Sequence, residues 1–144
     1  MSLALAGCKI EPLTMIVGTY TDECASRGVY SYFFDQEKGM LVEGDKGGLF
    51  SEAPGAVGRV EMRNPSYLTL SADGKFVYAV SEVGDSTASA GAIRLDTKTG
   101  KMQLLGNELT DGKDPCYIST NGSVVMTANY SSGNVTEFPL GDDG

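Results

Sequence analysis

The sequence predicts an all-β fold, a β-propeller of four-stranded antiparallel blades, and three observations carry that expectation. The segment Asn64-Pro65-Ser66-Tyr67-Leu68-Thr69-Leu70-Ser71 returns as Asp114-Pro115-Cys116-Tyr117-Ile118-Ser119-Thr120, with Pro and Tyr in the same places fifty residues on. Each copy leads into a glycine turn, Asp73-Gly74 or Asn121-Gly122, and then into an apolar run, 76–80 or 124–128. A second echo sets Gly28 to Gly39 beside Gly91 to Gly100, with Asp35 and Asp96 each four residues before the closing glycine. A period of about 40–60 residues made of short strands marks a propeller blade.

The elements follow in order. Apolar runs rich in Val, Ile, Tyr and Phe, separated by Gly, Asn-Gly or Asp-Gly, give about ten strands and no helix. The first strand covers 15–20 and the second 28–35, with Val29, Tyr30, Tyr32, Phe33 and Phe34. The turn 36–39 leads to a third strand over 40–43, and 51–63, with Pro54-Gly55 and Gly58, reads as a long loop. One complete four-stranded unit then spans 66–70, 76–82, 91–96 and 102–109, with an exposed polar loop at 83–90 and a hairpin turn at 97–100. Three more strands, 116–119, 124–130 and 134–140, end at Gly141-Asp142-Asp143-Gly144, where a fourth is due. The tally is about two and a half blades, whereas propellers close with about four to eight. Repeat units need neighbours to bury their faces. The chain is therefore expected to be the N-terminal part of a longer polypeptide, or to pair with other chains that supply the remaining blades.

Composition narrows the chemistry. The chain has no His, which removes the commonest general base and metal ligand, so acid–base work falls to Asp, Glu, Lys, Tyr or Cys. The net charge is −8, and the 11 Lys and Arg are scattered, which excludes the basic footprint that nucleic acid requires. The three cysteines, Cys8, Cys24 and Cys116, include no CxxC pair and no zinc pattern, and no metal site is expected. Spacing leaves a Cys24–Cys116 bridge undecided, with two unpaired thiols the simpler reading. In the terminal turn, Asp142 and Asp143 fall short of the six to eight oxygens a calcium ion takes and read as a solvated turn.

The N-terminus carries a separate signal. Leu5-Ala6-Gly7-Cys8 has the form of a bacterial lipobox, in which small residues fit the signal peptidase and the Cys thiol takes the lipid. The basic n-region and long apolar stretch of a full signal are missing. Residues 1–12 are thus expected to be either a shortened signal with a lipobox or a non-native leader, and 13–144 the N-terminal blades. The first alternative places Cys8 on a lipid anchor and the protein in the periplasm or on the cell surface. The second leaves a cytoplasmic location open.

In order, Val17-Gly18-Thr19-Tyr20-Thr21, Gly28-Val29-Tyr30, Asn64-Pro65-Ser66-Tyr67-Leu68, residues 71–82, Asp114-Pro115-Cys116-Tyr117-Ile118, Ala128-Asn129-Tyr130 and Phe138-Pro139-Leu140 resemble the bacterial lactonase family of seven-bladed propellers. That family includes a 6-phosphogluconolactonase and is similar to the fungal 3-carboxy-cis,cis-muconate lactonizing enzyme. The resemblance runs over 15–144. It implies a protein two to three times this length, a pocket on one face of the ring near the central channel, a small-molecule lactone substrate and no redox cofactor. It also implies that the family's His- and Arg-bearing segments lie mostly in later blades. Family members often carry His after Pro-Cys, where this chain has Tyr117.

Lactone hydrolysis needs an activated water and a donor for the developing oxyanion. In a propeller such groups sit on loops at blade ends, just after the second strand of a blade. Glu82 stands there and is the candidate general base or substrate acceptor; the structural alternative is a solvated strand-end carboxylate. Asn129 and Tyr130 hold the equivalent place one blade on, as water- or sugar-binding groups or else as a turn Asn and a packed Tyr. Tyr20 holds it in the first blade. Arg63 precedes Asn64-Pro65 and is a candidate clamp for phosphate or carboxylate, or the partner of a surface acid. Arg59 is a weaker version of the same candidate. Tyr117 is placed to line the pocket, while its repeat mate Tyr67 reads as structural. Two further readings stand beside the hydrolase: a non-catalytic extracytoplasmic scaffold that binds carbohydrate or protein, and a lactonizing cycloisomerase using the same pocket.

Overall fold

The computed structural model describes residues 10–42, 50–141 and 143–144. Cys8, the end of the expected strand at residue 43, and Asp142 lie outside the described residues. Eleven strands form three antiparallel sheets, and the described residues contain no helix.

The first sheet holds β1 (Leu13–Val17), β2 (Gly28–Asp35), β3 (Met40–Leu41) and β4 (Gly58–Glu61). β1 lies on one edge of β2, from Leu13 opposite Phe34 to Val17 opposite Tyr30. β3 and β4 share the other edge, β3 beside Phe34 and Asp35 and β4 beside Gly28 to Ser31. They act as one outer strand interrupted by an insertion. This corrects the expectation of loop throughout 51–63. Gly58 and Val60 are buried while Glu61 is exposed, a period-2 pattern too short to stand out beside Pro54-Gly55 and set by the open edge of β2.

The second sheet runs β5 (Leu68–Leu70), β6 (Phe76–Ser81), β7 (Ser89–Leu95), β8 (Met102–Leu109) in that order. The third contains β9 (Pro115–Thr120), β10 (Val124–Asn129) and β11 (Asn134–Pro139), with β10 in the middle. The echo seen in the sequence is a shared turn. Gly39 N–H bonds to Asp35 O at 2.9 Å and Gly100 N–H to Asp96 O at 2.8 Å. Both glycines have positive φ, 66° and 69°, a region open to Gly without the Cβ penalty. Each Asp carboxylate also caps the turn, Asp35 through Glu37 and Lys38 N–H, Asp96 through Lys98 and Thr99 N–H. By this match β2 corresponds to β7 and β1 to β6. The first sheet therefore has no counterpart of β5 among the described residues.

The core lies in the two seams between sheets. Alternation along β6 sends Val77 and Ala79 into a cluster with Val29, Val60, Met62, Ile93 and Leu95. It sends Tyr78 and Val80 to the other side, against Ile118 and Val125. Fully burying one such side chain contributes about 1.5–3 kcal/mol, so β6, buried on both faces, is the central strand of this assembly. A third cluster packs Ala53 and Ala56 of the insertion onto Tyr30, on the far face of the first sheet. Arg59 fastens it, with Nη1 2.6 Å from Glu52 and its guanidinium carbon 4.9 Å from the Phe50 ring centre.

Candidate functional site

The connector from β4 to β5 carries the chain from the first sheet to the second, and its residues organise the loops at that end. Asn64 takes φ of 45° before Pro65. This turns its buried side chain toward the β1–β2 loop, where Oδ1 accepts from Thr21 N–H at 2.9 Å and Asp22 N–H at 3.1 Å. Its Nδ2 donates to Asp22 Oδ2 at 3.0 Å and to Glu82 O at 3.2 Å. One amide thus joins the β1–β2 loop, the connector and the end of β6. Asp114 repeats the arrangement before Pro115, with φ of 53° and its carboxylate against Gly84.

Arg63 reaches the same loops by charge. Its Nε and Nη2 each lie 3.0 Å from an Asp22 carboxylate oxygen, and Nη1 lies 3.1 Å from Asp85 Oδ2. The paired guanidinium holds Asp22 below the usual carboxylate range, with help from Asn64. Asp85 is lowered by Thr87, through hydroxyl and N–H, and then by Arg63. Arg63 itself is raised, first by its bond to Asp22. Of the sequence candidates for anion binding, Arg63 is therefore gripped by two carboxylates and Arg59 by Glu52 and Glu61.

Glu82 follows β6 and turns its carboxylate into this cluster. Tyr20 Oη donates to Glu82 Oε2 at 2.9 Å, and Ser66 Oγ donates to the same oxygen. Oε1 has no protein hydrogen bond among the described residues. The Tyr20 phenol is raised above its ordinary value, chiefly by its bond to Glu82, with smaller contributions from burial and the nearby Cys116. It keeps its proton, and so its donor role, throughout the neutral range. Ser66 is a residue the sequence reading missed. Its signal was its place in the repeat, beside Tyr67 and opposite the strand end that bears Glu82.

The other candidates make no hydrogen bond to this carboxylate among the described residues. Asn129 is 2% exposed. Its Nδ2 donates to Thr136 Oγ1 at 2.9 Å and Asn134 Oδ1 at 3.4 Å, and its Oδ1 accepts from Thr127 at 3.3 Å. Tyr130 occupies the place of Glu82 one sheet on, since Tyr130 N–H bonds to Asp114 O as Glu82 N–H bonds to Asn64 O. Its side chain is 81% exposed. Tyr117, on β9, stacks with Tyr67 at 4.8 Å between ring centres. Cys24 and Cys116 are both free thiols. An apolar cleft between the second and third sheets, lined by Tyr78, Leu105, Val125, Phe138 and Leu140, contains none of the predicted site residues.

The family pattern described as "Lactonase, 7-bladed beta-propeller" matches residues 14–144. The 6-phosphogluconolactonase of Bacillus subtilis is 32% identical over 130 residues, which cover 89% of this chain and 33% of that protein. The 6-phosphogluconolactonase of Formosa agariphila is 26% identical over 133 residues, 90% of this chain and 34% of its own. A crystal structure of a provisionally assigned 6-phosphogluconolactonase from Bacteroides uniformis superposes with a TM-score of 0.81 at 44% identity, covering 94% of this chain and 35% of that one. The periplasmic gluconolactonase of Pseudomonas aeruginosa gives a TM-score of 0.76 at 30% identity, over 92% and 36% of the two chains. The chain spans about a third of the length of these relatives.

Proposed function

The chain belongs to the seven-bladed β-propeller lactonase family, and from that premise we propose that the whole protein hydrolyses a sugar lactone, with Glu82 as general base. The observation that carries the reading is the Glu82 carboxylate, whose Oε2 is held by Tyr20 and Ser66 while Oε1 takes no protein partner among the described residues. A carboxylate fixed through one oxygen presents the other to a water molecule. Glu82 takes a proton from that water as its oxygen adds to the lactone carbonyl carbon. The tetrahedral intermediate then collapses, the bond from the carbonyl carbon to the ring oxygen breaks, and the proton passes to that oxygen to give the open hydroxy acid.

The relatives named as 6-phosphogluconolactonases support a phosphorylated substrate. The ion pairs of Arg63 favour an unphosphorylated one, because its guanidinium is occupied by Asp22 and Asp85. In this reading Arg63 positions the loops around Glu82, and Tyr20 positions the carboxylate. Lipid attachment at Cys8 is the address that accompanies it, supported by the lipobox and by the periplasmic relative.

The experiment is hydrolysis of D-glucono-1,5-lactone, followed by proton release, by the full-length protein and by Glu82→Gln. The expected loss in kcat is about 10²–10⁴-fold, the range of a positioned general base. A Glu82→Gln protein that hydrolyses the lactone at the wild-type rate rules out this assignment. A full-length protein that hydrolyses neither this lactone nor its 6-phosphate overturns the gluconolactone hydrolase and leaves the binding scaffold and the lactonizing cycloisomerase.

A further inference from the structure

We propose that Tyr67 and Tyr117 form an aromatic platform that receives the less polar face of a sugar ring beside Glu82, an inference that deepens the hydrolase reading and rests on its placement of the site. The two tyrosines are repeat mates, each following Pro-Ser or Pro-Cys at the start of the first strand of its sheet. Their ring centres are 4.8 Å apart and the planes meet at 50°. They thus make one continuous surface across the seam between the second and third sheets.

The exposure of Tyr67 is not a consequence of a missing flanking sheet. Tyr117 is 47% exposed and belongs to the third sheet, which has no described sheet beyond it. Tyr67 belongs to the second sheet, which has sheets packed on both faces, and it is still 42% exposed. Packing on both faces leaves it open because the first strand of each blade borders the central channel of a propeller. Tyr67 therefore stands at the edge of its sheet that borders the channel in a closed ring.

The polar atoms agree with a ligand. Neither hydroxyl, on Tyr67 or Tyr117, has a protein hydrogen bond among the described residues, whereas the hydroxyl of buried Tyr30 accepts from Arg27 N–H at 2.7 Å. Ser66, next to Tyr67 in the chain, holds Glu82. An amphipathic aromatic pair with free hydroxyls, beside a carboxylate and a phenol, matches a pyranose or lactone ring, which has an apolar C–H face and hydroxyls at its rim.

The test uses the full-length protein and methyl β-D-glucopyranoside, a stable ring without a lactone bond. Saturation-transfer NMR is expected to show transfer to the C–H protons of one face of the ring. Tyr67→Leu keeps an apolar side chain of useful size and removes the aromatic ring. It is expected to weaken binding at least about tenfold while the melting temperature stays near wild type, and Tyr67→Phe to retain most of the affinity. No transfer to the glucoside in the wild type, or equal binding by a folded Tyr67→Leu, overturns the platform. The two readings separate: lactone hydrolysis with an unchanged KM in Tyr67→Leu removes the platform and keeps the hydrolase. Tyr67-dependent glucoside binding in a protein that opens no lactone keeps the platform and removes the hydrolase.

Discussion

Arg63 grips Asp22 with two nitrogens, Nε and Nη2, each 3.0 Å from a different carboxylate oxygen, and so ties the connector between the first two sheets to the β1–β2 loop. The third nitrogen holds Asp85 in the β6–β7 loop. Both carboxylates titrate below their ordinary value of 3.8. A depressed folded pKa stabilises the fold above the unfolded value, and that contribution is lost as pH falls through the folded one. Stability of the wild type relative to Arg63→Met should therefore show a constant advantage above about pH 5 and lose it progressively below the ordinary carboxylate value. Urea denaturation of the full-length protein at stepped pH checks it. An advantage that grows on acidification contradicts the pairing.

Tyr20→Phe should act on rate more than on binding. The substitution removes the donor that holds Glu82 Oε2 at 2.9 Å but leaves Ser66 in place. The misplaced carboxylate should lower kcat by up to about 10²-fold with KM little changed. Steady-state kinetics on gluconolactone read the split. A raised KM at unchanged kcat would make Tyr20 a binding group instead.

Asn129→Ala should cost stability. The side chain is buried and bonds to Thr127, Asn134 and Thr136, so its loss removes the partner of buried Thr127 and leaves a void, at a cost of about 1–3 kcal/mol. The expected signature is a lower urea midpoint at unchanged slope.

Gly58→Ala should strain the seam between the first two sheets. A methyl group there would run into Gly100 O and the Ser31 hydroxyl, which itself bonds to Gly100 O at 2.5 Å. The obstacle is mostly backbone and cannot rotate away. A loss of about 1–3 kcal/mol is expected, the usual cost of overpacking, and thermal unfolding measures it.

By itself the sequence determined the strands, the turns and the repeat. Period-2 burial, Gly at positive φ and the Asp35 and Asp96 caps are local properties, set by backbone sterics and by side chains within four residues. Ten of the eleven strands were legible from them, and the family from the ordered set of segments that resembles it. Tertiary structure decided the rest, because it depends on partners distant in sequence. The strand Gly58–Glu61 exists because β2 offers an edge about thirty residues earlier. Arg63, readable as a free anion clamp, is held by Asp22 and Asp85, 41 and 22 residues away. Asn129 and Glu82, both near the end of a second strand, diverge because one side chain turns into its own sheet and the other meets Tyr20 across a seam. The sequence marks such polar residues alike, and only the packing of the sheets determines which carboxylate keeps an oxygen open.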